Sequence, residues 1–167
     1  MNYMTYPTYL GIDPGAHGCI VAITPRDDDH PLVAACRLHN HARFEVIDWV
    51  KQYDGLGGFG DNPHVAIEKV SSSPQMGVRS AFSFGQSFGW LEGILQTLGY
   101  PHQYVRPQTW QSDLQIPPRK KKTQPEHKRV LVDFARATYP QEIMTADVAD
   151  ALLIAHWCRQ QHKGEER

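Results

Sequence analysis

The segment from Thr145 to Trp157, TADVADALLIAHW, most constrains the fold of this 167-residue chain. Its pattern predicts a helix with Thr145 as the N-cap, and nearly every residue after the first turn is apolar. A helix that is apolar around most of its surface is buried, so we expect this one to pack on a sheet. Asp147 and Asp150 are three residues apart and share one helical face. The helix is therefore expected to carry two carboxylates into the core.

Short apolar segments supply the sheet against which this helix can pack. Strands are predicted at residues 9–13, 19–24, 32–38, 64–70 and 102–107. Helices are predicted at residues 42–53, 79–98, 107–114 and 126–138, and from 145 onward. The first three strands are joined by short turns, and the later ones alternate with helices. This order predicts one α/β domain over residues 1–167, with a five-stranded mixed sheet flanked by helices on both faces.

Composition argues against a membrane protein and against a disulfide framework. No apolar run approaches the roughly 20 residues that span a bilayer, and the N-terminal segment lacks the features of a signal peptide. Cys19, Cys36 and Cys158 are widely spaced in apolar contexts, which favours free thiols over disulfides or a zinc site. The sequence therefore predicts a protein of a reducing compartment, the cytoplasm.

Acidic residues occur in three apolar elements where charged side chains are not expected. Asp13 ends the first strand, Glu68 interrupts VAIEKV, and Asp147 and Asp150 open the last helix. Buried carboxylates are unfavourable unless they are paired or bound to a metal, and no Lys or Arg stands at a spacing that would pair with each of them. Converging carboxylates without His or Cys favour Mg²⁺ or Mn²⁺. Two such ions would support hydrolysis of a phosphodiester by water.

Each acid taken alone also has a purely structural explanation. Asp13 precedes a Pro-Gly pair and could be a turn residue, and Glu68 could be the polar residue of an edge strand. Asp147 and Asp150 could interact with the dipole of their helix. The combination of four acids in separate apolar elements favours the metal site over these explanations.

Other residue types that often carry chemistry form no pattern. The nine His residues show no metal-ligand spacing, so we interpret them individually as surface or core residues. Ser71 to Ser73 have no paired base in the sequence, so covalent catalysis is not expected. Trp90, Trp110 and Trp157 occupy helical positions and are interpreted as core residues.

Four motifs in order, LGIDPG, AIEKV, GQSFG and ADVADALLIA, together resemble the RuvC-like Holliday-junction resolvases of the RNase H superfamily. The resemblance extends from about Tyr9 to His156. It implies an RNase H-like fold and a Mg²⁺-dependent endonuclease, with Mn²⁺ as a substitute, that nicks four-way DNA junctions symmetrically as a homodimer. By motif, it assigns catalysis and the binding of two Mg²⁺ ions to Asp13, Glu68, Asp147 and Asp150.

Basic residues are concentrated in the Pro-bounded segment PPRKKKTQPEHKRV, which holds six Lys or Arg and one Glu in a chain of net charge −1. This concentration predicts contacts with DNA phosphates, and a solvated loop is the alternative. Gln111 stands where the family has a lysine, and Lys128 is the candidate for its later lysine. Met76 is a candidate wedge between bases. The full set of candidate DNA contacts is Arg119, Lys120, Lys121, Lys122, Lys128, Arg79 and Met76.

The segment FSFGQSFGWLEGIL matches the helix that forms the dimer interface in this family. Gly85, Gly89 and Gly93 recur at four-residue intervals and form a ridge that permits close approach of another helix. Close packing of the ridge on its own sheet is the alternative. The compact length and the longer loop after Glu68 are more similar to bacteriophage members than to bacterial ones.

Three other functions remain to be distinguished at this point. A nuclease of the same fold could act on RNA–DNA hybrids or on replication flaps, because substrate choice depends on loops and dimer geometry. A non-catalytic module could bind branched DNA, although binding alone would not need four acids. An actin-like phosphotransferase could share GIDPG, but it would need a second lobe that 167 residues do not supply.

Overall fold

The computed structural model describes residues 7–15, 17–26, 30–54, 62–69, 77–120, 122–142 and 144–163. The strands are β1 (Tyr9–Asp13), β2 (Cys19–Thr24), β3 (Leu32–Arg37), β4 (His64–Glu68) and β5 (His102–Val105). The α-helices are α1 (Arg43–Lys51), α2 (Val78–Thr97), α3 (Pro107–Asp113), α4 (Gln124–Thr138) and α5 (Ala146–Gln161). A 3₁₀ turn, Leu38–Asn40, follows β3.

The five strands form one mixed sheet in the order β3-β2-β1-β4-β5. The first three strands are antiparallel neighbours, whereas β4 is parallel to β1 and β5 is parallel to β4. Ile12 of β1 pairs with Ile67 of β4, so the residues that follow them, Asp13 and Glu68, lie next to each other at the carboxyl ends of two parallel strands. Because β4 is an interior strand, the edge-strand explanation for Glu68 is wrong.

Both faces of the sheet are covered by helices, as the sequence predicted. On one face, α3, α4 and α5 pack on the sheet through side chains such as Trp110, Leu131 and Leu152. On the other face, α1 and α2 pack on it through side chains such as Val50 and Leu91. The mixed sheet and its two helical layers form the predicted α/β fold.

Helix α5 is the central element of the larger core. Its buried residues include every position from Ala151 to Ala155, which confirms the burial predicted from its apolar sequence. Gly11 of β1 allows this close approach, since a Cβ there would lie 2.2 Å from both the Ala151 carbonyl oxygen and the Ala155 nitrogen. Only glycine lacks that atom. The contact between β1 and α5 therefore brings the first turns of α5 beside the end of β1.

Helix α2 packs on the sheet only through its C-terminal half. Leu91, Ile94 and Leu95 are buried, whereas no residue between Val78 and Trp90 is buried. Val78 is 88% exposed and Phe82 is 66% exposed. The first three turns of α2 therefore present apolar side chains to solvent.

The cysteines are free thiols, as predicted from their spacing. Cys19, Cys36 and Cys158 are all buried. Burial raises the pKa of the Cys19 thiol to about 12 and that of Cys36 to about 11, so neither is reactive at neutral pH. In the part of the chain that the structure describes, no helix is both long and apolar enough to cross a membrane.

Candidate active site

Two carboxylates meet where β1 and β4 end. Asp13 accepts a hydrogen bond from the backbone N–H of Gly15 at 3.0 Å, which holds its side chain at the turn. Glu68 is only 8% exposed, and its Oε1 accepts a hydrogen bond from the indole N–H of Trp110 at 2.9 Å. Strand register brings the two acids together, and Trp110 of α3 orients the more deeply buried one.

Asp150 comes to these two acids from the second turn of α5. Its Oδ2 is ion-paired with the Lys128 ammonium of α4. Its Oδ1 is buried and has no hydrogen-bond partner among the described residues. Leaving a buried carboxylate oxygen without a hydrogen-bond partner is unfavourable. Binding of a metal ion by this oxygen would remove that cost, so Asp150 Oδ1 is a candidate metal ligand.

The pKa values of the two strand carboxylates are raised. Burial raises the pKa of Glu68 to about 7, the Trp110 hydrogen bond opposes that rise, and the charges of Asp13 and Asp150 add to it. Burial likewise raises the pKa of Asp13, against the Gly15 hydrogen bond and with a contribution from Asp150. These mutual effects place the three acids within electrostatic reach of one another.

Asp147 interacts differently from the other three acids. Its Oδ2 accepts a hydrogen bond from the Arg37 Nε at 2.6 Å, and a second nitrogen of the same guanidinium donates to Thr145 Oγ1 at 3.0 Å. Burial acts to raise the pKa of Asp147, but hydrogen bonds from Thr145 and Arg37 outweigh it, so the pKa is lowered. Asp147 is therefore ionised and bound to the end of β3.

The expectation that no Lys or Arg pairs with these acids is wrong for two of them. Arg37 pairs with Asp147 across 110 residues of sequence, and Lys128 pairs with Asp150 across 22. Sequence spacing reveals partners on one helix, whereas these pairs form between different elements of the folded sheet and its helices. Both ion pairs partly neutralise the cluster.

An open cleft of about 500 Å³ joins several of these groups. Asp13, Asp147 and Lys128 line it, together with His17 and His39. Carboxylate oxygens are the ligands that Mg²⁺ and Mn²⁺ prefer, and the unpartnered Oδ1 of Asp150 fits the same chemistry. Within the described ranges, no group of three or more carboxylate, imidazole or thiol side chains is arranged so that it could hold a metal ion as it stands.

The candidate DNA contacts lie in three places. Arg119, Lys120 and Lys122 are exposed before α4, and Arg79 is exposed in the first turn of α2. Lys128 is half-buried against Asp150 and lines the cleft. Two further candidates, Lys121 and Met76, lie outside the described residues.

The glycine ridge of α2 does not pack on its own sheet. Among the atoms that the structure describes, none lies within 4 Å of a Cβ added at Gly85, Gly89 or Gly93. The alternative of close packing of the ridge on its own sheet is therefore wrong. The ridge lies along the same helix as the exposed Phe82.

Sequence reasoning missed four residues that contact or line the site. Trp110 is buried, as interpreted, but it also binds Glu68; Arg37, His17 and His39 carried no spacing signal. Arg37 is a charged residue at the end of β3, as Asp13 is at the end of β1. That position, rather than spacing, is the signal that could have identified it. Trp90, interpreted as core, is half-buried and lies under the Arg43 guanidinium, 5.2 Å from its ring centroid.

Comparisons by sequence give no match to a family model and none to a curated protein. By structure, the chain is similar to Thermus thermophilus RuvC in complex with a Holliday junction substrate, with 17% identity and a TM-score of 0.58 over 96% of each chain. It is similar to Thermus thermophilus RuvC alone with 15% identity and a TM-score of 0.60, covering 95% of this chain and 96% of that one. The yeast mitochondrial Holliday junction resolvase Ydc2 matches with 18% identity and a TM-score of 0.46, covering 96% of this chain and 82% of that one. The two RuvC structures confirm the resemblance at the level of the fold, which is RNase H-like.

Proposed function

We propose that this chain, which has the fold of RuvC, is a metal-dependent endonuclease that cuts four-way DNA junctions. The observation that carries the proposal is the meeting of Asp13 and Glu68 at the ends of β1 and β4, with Asp150 brought beside them by α5. Mutually repelling, partly buried carboxylates disfavour folding unless they are paired or bound to a metal, and such clusters are typical of functional sites. The binding of DNA needs no such cluster, whereas metal-assisted hydrolysis does.

Asp13, Glu68 and Asp150 would hold two Mg²⁺ ions, for which Mn²⁺ could substitute. Asp147 lines the same cleft and would join them when its pair with Arg37 opens. When bound, the ions supply an activated water and stabilise charge on the departing 3′ oxygen. Products would therefore be 5′-phosphate and 3′-hydroxyl ends.

Side chains around the acids have their own roles in this proposal. Trp110 keeps Glu68 oriented through its indole N–H. Lys128 lines the cleft, so its ammonium can contact the scissile phosphate once it leaves Asp150. Arg119, Lys120, Lys121 and Lys122 would contact phosphates beside the cut, with Arg79 as a further contact and Met76 as a wedge between bases.

The proposed assembly is a homodimer through α2. Its exposed first half, with Phe82 and the open ridge at Gly85 and Gly89, supports this interface. An exposed apolar face of this kind marks a contact surface. Two copies of the cleft would then cut two strands of one four-way junction.

The test is cleavage of a synthetic four-way DNA junction in Mg²⁺, beside a linear duplex, a 5′ flap and an RNA–DNA hybrid. We expect symmetric paired nicks on the junction and their loss in Asp13→Asn. Asp133→Asn is the matched control, since Asp133 is exposed on α4 and pairs with Arg136 at 3.8 Å, away from the site.

Each other outcome corrects the proposal in a defined way. Comparable cutting of flaps or hybrids would replace junction specificity by a broader nuclease activity. Junction binding without cutting in Mg²⁺ or Mn²⁺ would leave a branched-DNA-binding module. Cutting that survives Asp13→Asn would refute the assignment of the site.

A further inference from the structure

Two histidines line the cleft that two of the candidate acids, Asp13 and Asp147, also line. His17 lies in the turn between β1 and β2, and His39 lies in the 3₁₀ turn after β3. Their rings are 5.3 Å apart between centroids and meet edge to face at 74°. Both residues are exposed, and they line the same cleft as Asp13, Asp147 and Lys128.

Backbone hydrogen bonds fix these histidines relative to the end of β1. The Gly18 N–H donates to the Gly15 carbonyl at 2.8 Å, and the Leu38 N–H donates to the Gly18 carbonyl at 2.9 Å. Gly18 also packs closely against β1, since a Cβ there would lie 2.1 Å from the Asp13 carbonyl oxygen. The two turns are thus joined to each other and to the strand that carries Asp13.

The imidazole nitrogens are available to a ligand. Within the described ranges, neither His17 nor His39 has a hydrogen bond or ion pair, and their one ring contact is with each other. The negative charge of the cleft is partly neutralised, because Arg37 binds Asp147 and the ammonium-bearing Lys128 also lines the cleft. His17 and His39 can therefore each donate an N–H to a ligand in this cleft.

We propose that His17 and His39 form a subsite for a phosphate of the DNA backbone, next to the phosphodiester that is cut. This inference rests on the proposed function. An imidazole has an N–H donor in its neutral form as well as in its protonated form, so the contact does not require protonation. Contacts with phosphate oxygens position DNA without reading its sequence, and here they would set the register of the strand against Asp13.

The test measures binding of junctions in which one phosphate at a time near the cut is replaced by a neutral methylphosphonate. Binding is followed by fluorescence anisotropy without divalent cations, so that no strand is cut. The variant is the double substitution His17→Phe with His39→Phe, which keeps two rings but removes the donors. His41→Phe is the matched control, because His41 is exposed and pairs with Glu45 at 3.8 Å, outside the lining of the cleft.

For the wild-type chain, we expect about tenfold weaker binding when one particular phosphate is neutralised, the scale of a hydrogen bond to a charged group. The double variant should bind the unmodified junction about tenfold more weakly and lose nothing further at that phosphate. His41→Phe should keep the wild-type profile.

The outcomes separate the two proposals. The subsite is overturned if the double variant binds the unmodified junction as tightly as the wild type does. It is also overturned if each methylphosphonate weakens binding by the double variant as much as it weakens binding by the wild type. In both cases the binding of junctions by this chain still stands. A wild-type chain that does not bind the junction overturns the proposed function, and the subsite with it. A loss spread evenly over all phosphates in the double variant also overturns the subsite, and circular dichroism checks that the variant is folded.

Discussion

Replacing Glu68 by Gln should stabilise the metal-free chain at alkaline pH and abolish cleavage. Glu68 is 8% exposed, and burial raises the pKa of its carboxyl from 4.5 to about 7. One pKa unit corresponds to about 1.4 kcal/mol. An ionised Glu68 therefore lowers the free energy of unfolding by up to about 3 kcal/mol.

The sign of this effect follows from which state holds the proton. Because the pKa of Glu68 is raised in the folded state, folding favours the protonated carboxyl. The stability that this protonated group contributes is fully present below pH 4.5. That contribution is lost as the pH rises through about 7. Gln has no proton to lose, and its side-chain oxygen can still accept the Trp110 N–H. The stability gap between Gln and wild type should be small at acidic pH and open to about 3 kcal/mol at pH values well above the native pKa.

Urea unfolding in EDTA, followed by tryptophan fluorescence at a series of pH values, measures this gap. Glu142→Gln, in the segment before α5, is the matched control for the change of Glu to Gln. Mg²⁺ should narrow the Glu68→Gln gap, because an ion that binds the folded wild type stabilises it. A gap independent of pH, or one that widens toward acid, would refute the account of Glu68 given above.

Three further substitutions test the core, the site and the assembly. Gly11→Ala forces a Cβ into the α5 backbone and should destabilise the chain by about 3 kcal/mol or more, measured by urea unfolding. Trp110→Phe removes the hydrogen bond that lowers the pKa of Glu68, so the acidic limb of the cleavage pH profile should move to higher pH; an unmoved limb would contradict this. Gly89→Arg should convert a dimer to monomers in sedimentation velocity without loss of monomer stability, because a Cβ there has no described atom within 4 Å. A Gly89→Arg chain that remains dimeric would place the interface elsewhere.

The sheet and the acids could be predicted because their signals are local. Short apolar runs define β1, β2 and β4, which are five or six residues long. A single acid at the end of such a run is visible without knowledge of the fold. The start of α4 was harder. Thr123 and Glu126 form a capping box and Pro125 lies in the first turn, so the helix begins two residues before the predicted start at 126. Proline is tolerated there because the first N–H groups of a helix have no intrahelical partner.

The partners of the acids could not be predicted because tertiary structure creates them. Arg37 and Asp147 are 110 residues apart in the sequence, and they meet because the fold brings the end of β3 to the start of α5. In the sequence, Trp110 is indistinguishable from any other apolar residue of a short helix. Only the packing of α3 beside β4 brings its N–H to Glu68. His17 and His39 are separated by two strands, and the backbone bond from Leu38 to Gly18 brings their turns together.

Because α5 lies in close contact with β1, the volume of the core and the geometry of the candidate active site cannot change independently. The helix that fills the core also carries Asp147 and Asp150, and its distance from Asp13 is limited by Gly11 against Ala151. A shift of about 1 Å at a reacting group can reduce a rate by about a hundredfold. Thermostabilising designs that enlarge side chains along the buried face of α5 would therefore trade activity for stability. Designs confined to the sheet face covered by α1 and α2 would leave the spacing of the acids unchanged.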